Sequence, residues 1–404
     1  MTYDLIVIGG GASGFFGAIN CAERKRKMRI LILEKSSEVL AKVRVSGGGR
    51  CNVTHACFNP SEMITNYPRG DKELLGPFHK FLCGDMMGWL DDHGVETKIE
   101  SDGRVFPVSN KSETIINCYL NLCQKYHIEI KTSCGVSTIT AENKSWYITT
   151  SAGNFVSRNI LFATGSSPAA WKMLKALKHK IVTPVPSLFT FNIKHPIIEG
   201  LAGISLPSAE VIIKGQKFHE QGPLLITHWG LSGPAVLKLS AWAARELFDL
   251  KYCFPIIVNW IGMEANIVLQ KIQDLKKTHG RKSILNFSFF GISKRLWHKM
   301  IMALKLDKSN FADLKSTQIH RLMNMICHCE LEVKGKSMFK DEFVTCGGID
   351  TKEINFKTME SKFHPHLYFS GEVINIDAIT GGFNFQATWT TAYLAAAAIT
   401  KNLD

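Results

Sequence analysis

The sequence predicts a discontinuous α/β fold in which the two ends of the chain build one domain and the middle forms an insert. Three observations carry this. An apolar, β-branched run at the N-terminus passes through a glycine turn into a helix and a second strand. Another strand, glycine turn and helix close the C-terminus. Between them, from Pro184, the pattern changes to short alternating runs that enclose a helical stretch.

In chain order, Tyr3–Ile8 reads as a strand ending in Gly9-Gly10-Gly11-Ala12-Ser13-Gly14. Phe15–Lys27 reads as a helix and Arg29–Leu33 as a strand closing on Glu34, which makes a βαβ unit. Val43–Val45 is strand-like by its β-branched residues. Trp146–Thr150 and Asn159–Ala163 add strands, the latter running into Thr164-Gly165. Ser187–Ile193, Ala209–Ile213 and Phe254–Trp260 alternate as strands of a mainly β segment. Between Met263 and Ile326 apolar residues recur at helical spacing. Ile267, Leu269, Ile272 and Leu275 mark one helix; Leu296, Met300, Ile301 and Leu304 mark another. Strand character returns at Glu330–Val333, Phe343–Thr345 and Leu367–Ser370, and Thr388–Thr400 is a helix rich in small residues. The expected domains are 1–189 with 346–404 (α/β), 190–261 with 327–345 (β insert) and 262–326 (helical insert).

At 404 residues the chain is too long for one ordinary core. Its 45% hydrophobic and 21% charged residues are those of a globular protein. No apolar run approaches the ~20 residues of a membrane-spanning helix. The first residues enter a strand pattern directly, which argues against a secretory signal. The eleven cysteines include no CxxC pair, and Cys327-His328-Cys329 reads as a helix-to-strand passage, so no metal site is expected. Dispersed thiols fit a reducing cytoplasm. The net charge of +13 is concentrated: residues 262–326 hold twelve Lys and Arg against four Asp and Glu, a net +8. That suits a polyanionic partner or an acidic substrate, and equally a solvated basic face.

The chemistry lies in the glycine motifs. Gly9-x-Gly11-x-x-Gly14 follows a strand and opens a helix, and Glu34 ends the next strand. Gly9 permits the tight turn, Gly11 lets backbone approach a pyrophosphate, and Gly14 lets helix pack on strand. The helix N-terminus offers unpaired N–H groups and partial positive charge. Glu34 is placed to accept bonds from ribose hydroxyls and would repel a 2′-phosphate. At the far end, Tyr368-Phe-Ser370-Gly371-Glu372, then Asp377, then Thr380-Gly381-Gly382-Phe383-Asn384 supply a second helix N-terminus for the same cofactor. This points to FAD rather than NAD, with Asp377 accepting from a ribityl hydroxyl. A third motif, Ser46-Gly47-Gly48-Gly49-Arg50-Cys51-Asn52, lets the main chain pass close to a flat or charged group. Arg50 is a candidate to neutralise a reduced flavin. Cys51 is either a reactive thiol or a small buried hydrophobe.

These motifs, with Gly103-Arg104-Val105-Phe106-Pro107, Leu224-Leu-Ile-Thr227-His228-Trp229-Gly230-Leu-Ser232-Gly233-Pro234 and Thr345-Cys-Gly347-Gly348, occur in one order. The chain thereby resembles, over essentially its whole length, the BaiN/RdsA-type flavoproteins, a group of NAD(P)/FAD-dependent oxidoreductases also called the aminoacetone oxidase family. The resemblance implies a glutathione-reductase-like FAD-binding Rossmann domain with an inserted β-barrel plus helical domain. It carries flavin contacts over to Gly9, Gly11, Gly14, Glu34, Arg50, Cys51, Gly371, Asp377, Gly382 and Asn384. The full expected set adds Ala12, Ser13, Lys35, Gly48, Asn52, Thr164, Gly165, Glu372 and Gly381. Two stretches depart from many relatives, Ala41-Lys42-Val43-Arg44 before the SGGGRCN motif and Ala163-Thr164-Gly165-Ser166-Ser167.

No second GxGxxG unit follows a strand, so NAD(P)H enters as a transient electron donor over the flavin, or another donor serves. Substrates linked to the family are uridine in large-subunit ribosomal RNA (reduced to dihydrouridine), bile-acid intermediates and amino-ketones. A fold cannot choose among them, but the basic insert favours RNA. The expected activity is an FAD-dependent oxidoreductase that modifies ribosomal RNA in the cytoplasm. The alternatives are an oxidase or ene-reductase of a small molecule (an amino-ketone or steroid-like enone), and a non-catalytic RNA-binding assembly factor. For the proton that must reach uracil C5, an unperturbed thiol near pKa 8.5 is suitable, so Cys51 is the first candidate acid and His228 the second.

Overall fold

The computed structural model describes residues 2–142, 145–287, 290–337 and 344–403, so the expected strand start at Phe343 lies outside the described residues. The chain divides into two compact units, Met1–Val185 with Lys340–Asp404, and Pro186–Phe339.

In the first unit, β1 (Thr2–Ile8) ends in four successive buried residues, the pattern of a strand covered on both faces. Helix α1 (Ala12–Arg24) follows the glycine turn and begins ahead of Phe15, because Gly11 serves as its N-cap. Strand β2 (Ile30–Leu33) returns parallel to β1, with Leu33 opposite Ile8. The strand expected at Val43–Val45 is instead part of a helical segment, α2 (Ala41–Gly49), in which only Val43 is buried. A strand would have placed Val43 and Val45 on one face, but Arg44 N–H donates to Leu40 C=O at 3.0 Å and winds the chain. Strand β3 (Gly153–Phe162) lies parallel on the other side of β1, with Phe162 opposite Ile8. The strand Leu367–Phe369 adds parallel to β3, with Phe369 opposite Phe162.

This register aligns Ile8, Leu33, Phe162 and Phe369. The residues that follow each of them therefore emerge at one edge of the sheet, and β1 lies where the strand order reverses. Open α/β sheets place ligands at such points. The C-terminal helix, Phe383–Lys401, covers α1; Cys21 donates its thiol to Ala396 C=O at 3.9 Å.

The second unit includes β4 (Thr190–Asn192), β5 (Ser205–Ile213), β6 (His219–Ile226), β7 (Gly230–Ser232), β8 (Cys253–Asn259), the helices α3 (Ala265–Thr278), α4 (Lys294–Leu304) and α5 (Ser316–Cys327), and β9 (Cys329–Lys334), with two more helices, Pro234–Trp242 and Ala244–Asp249, between β7 and β8. The strands run antiparallel in the order β9-β8-β5-β6-β7-β4, followed by Lys336–Ser337. The first and last members of that path are one stretch of chain. Lys334 lies opposite Cys253 of β8, and Lys336 opposite Phe191 of β4. Between them Gly335, at φ +117, donates to Tyr252 C=O at 2.8 Å and accepts from Asn192 N–H at 3.0 Å. The sheet thereby closes into the expected barrel.

Alternate residues fill its core, among them Val211, Ile213, Phe254, Ile256, Val258, Leu331 and Val333. Val268, Ile272, Leu296, Trp297, Met300 and Ile301 from the helices join the same core. Ile267, expected to mark the inner face of α3, is 40% exposed, and Val268 takes its place. Helix α5 ends at Cys327 and β9 begins at Cys329, the helix-to-strand passage expected there. This unit holds 20 Lys and Arg against 11 Asp and Glu, a net +9 of the chain's +13.

Candidate cofactor site

At the sheet edge, packing explains two glycines and open space a third. Gly9, at φ +114, would place a Cβ 2.5 Å from Ala163 C=O, and a Cβ on Gly14 would lie 2.0 Å from Gly9 C=O. Gly11 differs: nothing lies within 4 Å of its added Cβ. It caps α1 without a side-chain bond, and the first turn, beginning at Ala12, holds no acid. Open space in front of an uncapped helix start is what a phosphate group requires. Glu34 steadies the turn by accepting from Gly10 N–H at 2.8 Å and Ser36 N–H at 2.9 Å. A carboxylate retains further lone pairs for a ribose. Lys35 beside it is exposed.

The two terminal glycine motifs, distant in sequence, are joined directly. Ser13 donates its hydroxyl to Ser370 Oγ at 2.6 Å, and a Cβ on Gly371 would lie 3.2 Å from Ser13 Cβ. Ser13 is thus spent on holding the motifs together through its side chain. Glu372 accepts from Lys42 Nζ at 2.7 Å and from Ser166 Oγ at 3.4 Å. An added Cβ on Gly165, which follows Thr164 after β3, would lie 3.7 Å from the same carboxylate. A cleft lies alongside, lined by Gly371, Glu372, Ile376, Asn384, Ala387 and Thr388.

The SGGGRCN motif forms a left-handed turn: Gly47, Gly48 and Gly49 have φ of +58, +69 and +82. Gly48 and Gly49 face open space, whereas a Cβ on Gly47 would meet Asn52 N–H at 2.8 Å. Arg50 is committed more heavily than expected. It donates to Glu100 at 2.7 Å and lies 3.9 Å above the Phe106 ring, so much of its charge is met within the protein. The GRVFP motif thereby gains a role, since Phe106 supports Arg50.

Cys51, the first candidate acid, is enclosed by the fold. It is fully buried, and burial pushes its thiol up to about 12 despite a bond with Ser46. The unperturbed thiol that made it the first candidate acid is not what the fold provides. Beside it, Asn52 is buried and its Oδ1 has no hydrogen-bond partner among the described residues. That atom lies 2.9 Å from an added Cβ on Gly382. A buried acceptor without a donor takes one from outside the chain, which a water can supply and so can the imide N–H of an isoalloxazine ring.

Asp377 also departs from expectation. It is fully buried, and the Arg69 guanidinium engages both its oxygens, with Nε to Oδ1 at 2.6 Å. Both Asp377 oxygens are thereby engaged within the chain, whereas the Glu372 carboxylate lines the cleft. Asn384 grips the same loop, accepting from Ala378 N–H and donating to Ala378 C=O, each at 3.0 Å. Gly381 and Gly382 take φ of +132 and +97 ahead of the C-terminal helix. Two residues here went unread in the sequence, Arg69 and His55. The His55 ring stacks on Phe383 at 4.5 Å, and its Nδ1 lies 3.0 Å from Gly381 C=O. His228 belongs to the second unit, where it is exposed on the turn between β6 and β7.

A family profile described as HI0933-like protein Rossmann domain matches residues 3–398. The chain belongs to this family. A full-length relative, the ribosomal RNA dihydrouridine synthase of Escherichia coli K12, is 25% identical over 406 residues, covering 98% of this chain and 97% of that protein. The 3-dehydro-bile acid delta(4,6)-reductase of Clostridium scindens is likewise 25% identical, covering 96% and 97%. Among solved structures, 3-ketosteroid-delta4-(5alpha)-dehydrogenase from Rhodococcus jostii RHA1 superposes with a TM-score of 0.53 at 12% identity, covering 99% of this chain and 97% of that one. At that identity the likeness shows the fold alone. The family and the α/β Rossmann fold expected from the sequence are borne out. The redox chemistry expected of the HI0933-like chain agrees with the names of these relatives, an RNA dihydrouridine synthase and a reductase.

Proposed function

We propose that this chain is an FAD-dependent oxidoreductase that reduces a uridine of large-subunit ribosomal RNA to dihydrouridine. FAD is supported by the joined glycine motifs, the open space at Gly11, Gly48 and Gly49, and the unsatisfied acceptor of Asn52. When bound, FAD supplies the hydride for C6 of the uracil. The chain's own tasks are to hold the pyrophosphate at the start of α1, the ribose at Glu34 and the ribityl chain near Glu372. NAD(P)H fits as a transient donor, and the cytoplasm as the place of work. Of the two acids considered, Cys51 is assigned to packing, and His228 remains the proton donor to be tested.

Relatives of equal identity are named for RNA and for a bile acid, so identity does not select the substrate. The observation that favours RNA is charge, because the second unit carries net +9. A steroid or an amino-ketone places no demand on such a surface, whereas a phosphate backbone does. The deciding experiment is mass spectrometry of nucleosides from large-subunit ribosomal RNA, with and without the gene. Dihydrouridine should disappear on deletion and return with the wild-type gene but not with Gly11→Val. Unchanged dihydrouridine would end the RNA reading and leave reduction of a small enone.

A further inference from the structure

Three motifs far apart in the sequence meet on one imidazole. His55 closes the short strand Thr54–His55, three residues after the SGGGRCN motif, and stands opposite Arg104 of the strand Arg104–Pro107. Its ring stacks on Phe383, with centroids 4.5 Å apart and planes at 23°. One end of the ring, Nδ1, lies 3.0 Å from Gly381 C=O. The other, Nε2, faces Gly103 of the GRVFP motif, where an added Cβ would lie 2.5 Å away. Gly103, at φ +84, is tied to the same strand end, its C=O accepting from Ala56 N–H at 2.8 Å. The ring is therefore fixed at both ends and on one face. A carbonyl only accepts, so Nδ1 must carry the hydrogen of its bond to Gly381.

That contact matters because of what it holds. Gly381 and Gly382, at φ +132 and +97, form the turn ahead of the C-terminal helix, and glycine offers little resistance of its own to a change of φ. Points on either side are anchored. Thr54 donates its hydroxyl to Gln386 Oε1 at 2.6 Å, Trp389 Nε1 donates to Val53 C=O at 2.8 Å, and Tyr67 donates its hydroxyl to Phe383 C=O at 2.5 Å. Within the glycine pair itself, His55 supplies the side-chain anchor. Gly382 caps the helix without a side-chain bond. Asn52 Oδ1, buried and without a partner among the described residues, lies 2.9 Å from an added Cβ on Gly382. An unpaired acceptor beside an uncapped helix start suits a cofactor that brings both a donor and partial negative charge, as FAD does.

We propose that His55 is a positioning residue for FAD: its Nδ1–H fixes the Gly381 carbonyl and so sets the glycine turn that the cofactor meets. This rests on the FAD reading above and adds to it the residue that shapes the C-terminal half of the site. Gly103 serves the same end, because only a residue without Cβ leaves room for Nε2.

The test uses the full-length holoprotein and FAD itself, with the dissociation constant read from the fluorescence of flavin released on dilution. His55→Leu removes the donor and should raise that constant by roughly two- to twelve-fold, the range for one net hydrogen bond. His55→Asn has nearly the same size as His55→Leu, but its Nδ2 is bonded to Cγ as Nδ1 is, so it should recover most of the affinity. Gly103→Ala drives a Cβ into Nε2 and should also loosen FAD. Added to His55→Asn, which has no atom at that place, the same change should cost less, since the backbone strain at Gly103 is common to both backgrounds. Circular dichroism verifies that each variant is folded; should His55→Leu not fold, the two Gly103→Ala backgrounds decide the question. His55→Leu binding FAD as tightly as wild type overturns the proposal. So does His55→Asn binding as weakly as His55→Leu, because ring packing and not the donated hydrogen would then matter. Equal losses from Gly103→Ala in both backgrounds overturn the role given to Gly103. None of these results touches the FAD reading, whereas a wild-type protein that holds no FAD overturns the proposal and that reading together.

Discussion

Replacing Arg69 with Met tests whether the buried ion pair organises the C-terminal loop of the cofactor site. The Asp377 side chain is fully buried and that of Arg69 is 16% exposed, so the guanidinium is the means by which a carboxylate is tolerated there. Removing one partner of such a pair costs about 3–5 kcal/mol, because the other charge is left uncompensated in a poorly polarisable environment. Methionine keeps much of the aliphatic volume, so the loss reports on charge rather than on a cavity. For a unit of this size, about 2–4 °C per kcal/mol translates the cost into a fall in Tm of roughly 6–20 °C. Thermal unfolding of the holoprotein, followed by near-UV circular dichroism and by release of flavin fluorescence, reads it. Arg69→Met combined with Asp377→Asn should recover at least half of the loss, since no unpaired charge then remains. A single variant within about 1 kcal/mol of wild type would show that Asp377 does not depend on Arg69, and the reasoning would fail.

Three further outcomes are expected. Gly11→Val should yield protein without flavin, because its side chain fills the one open position of the phosphate turn; yellow protein with FAD near one-to-one refutes the assignment. Burial raises Cys51 and Cys123 from 9.0 to about 12, and Cys83 and Cys329 to about 11, so stability should fall as pH rises from about 9 toward 12. In that range the unfolded chain releases thiol protons that the folded chain retains, and urea melts at pH 7, 9 and 10.5 with a flat profile would contradict it. Reversing Lys294 and Lys299 should lower the salt slope of RNA binding by about 0.7 for each phosphate no longer neutralised, with flavin content unchanged; an unaltered slope in a filter-binding titration would return that helix to a merely solvated face.

Much of the site was legible because local geometry dictates residue type. The first glycine motif could be placed between β1 and α1 because only glycine fits at Gly9 and Gly14. The α2 segment misled, since β-branched Val43 and Val45 imitate a strand while tertiary packing buries only the first. The C-terminal helix was read from Thr388, where small residues begin to dominate, although it starts at Phe383 behind the positive-φ cap Gly382. The helices Asp71–Phe78 and Cys83–Asp92 gave no clear periodicity; each contains glycine, and the first contains Pro77. Arg69 and Asp377 could not be paired from sequence at all, because their partnership is created by the fold across 308 positions. The charge of Asp377 was visible, but not the cation that occupies it. Cys51 shows the same limit, since its place in a glycine loop suggested access, while the fold encloses it.

The cofactor site itself cannot decide the substrate. Its open positions at Gly11, Gly48 and Gly49 are backbone, and the polar groups Glu34, Asn52 and Glu372 are of the kind a dinucleotide takes. A bile-acid reductase and an RNA-modifying enzyme could share such walls unchanged. Selection must come from groups that meet the substrate and not the flavin. The second unit supplies one that a steroid would not require, a dense positive charge. Charge governs how affinity falls with salt. A chain acting on a small enone would be indifferent to it, so kcat/KM for such a substrate should be unaffected by Lys294→Glu. A chain acting on RNA should lose affinity with that substitution, and the loss should shrink as salt rises.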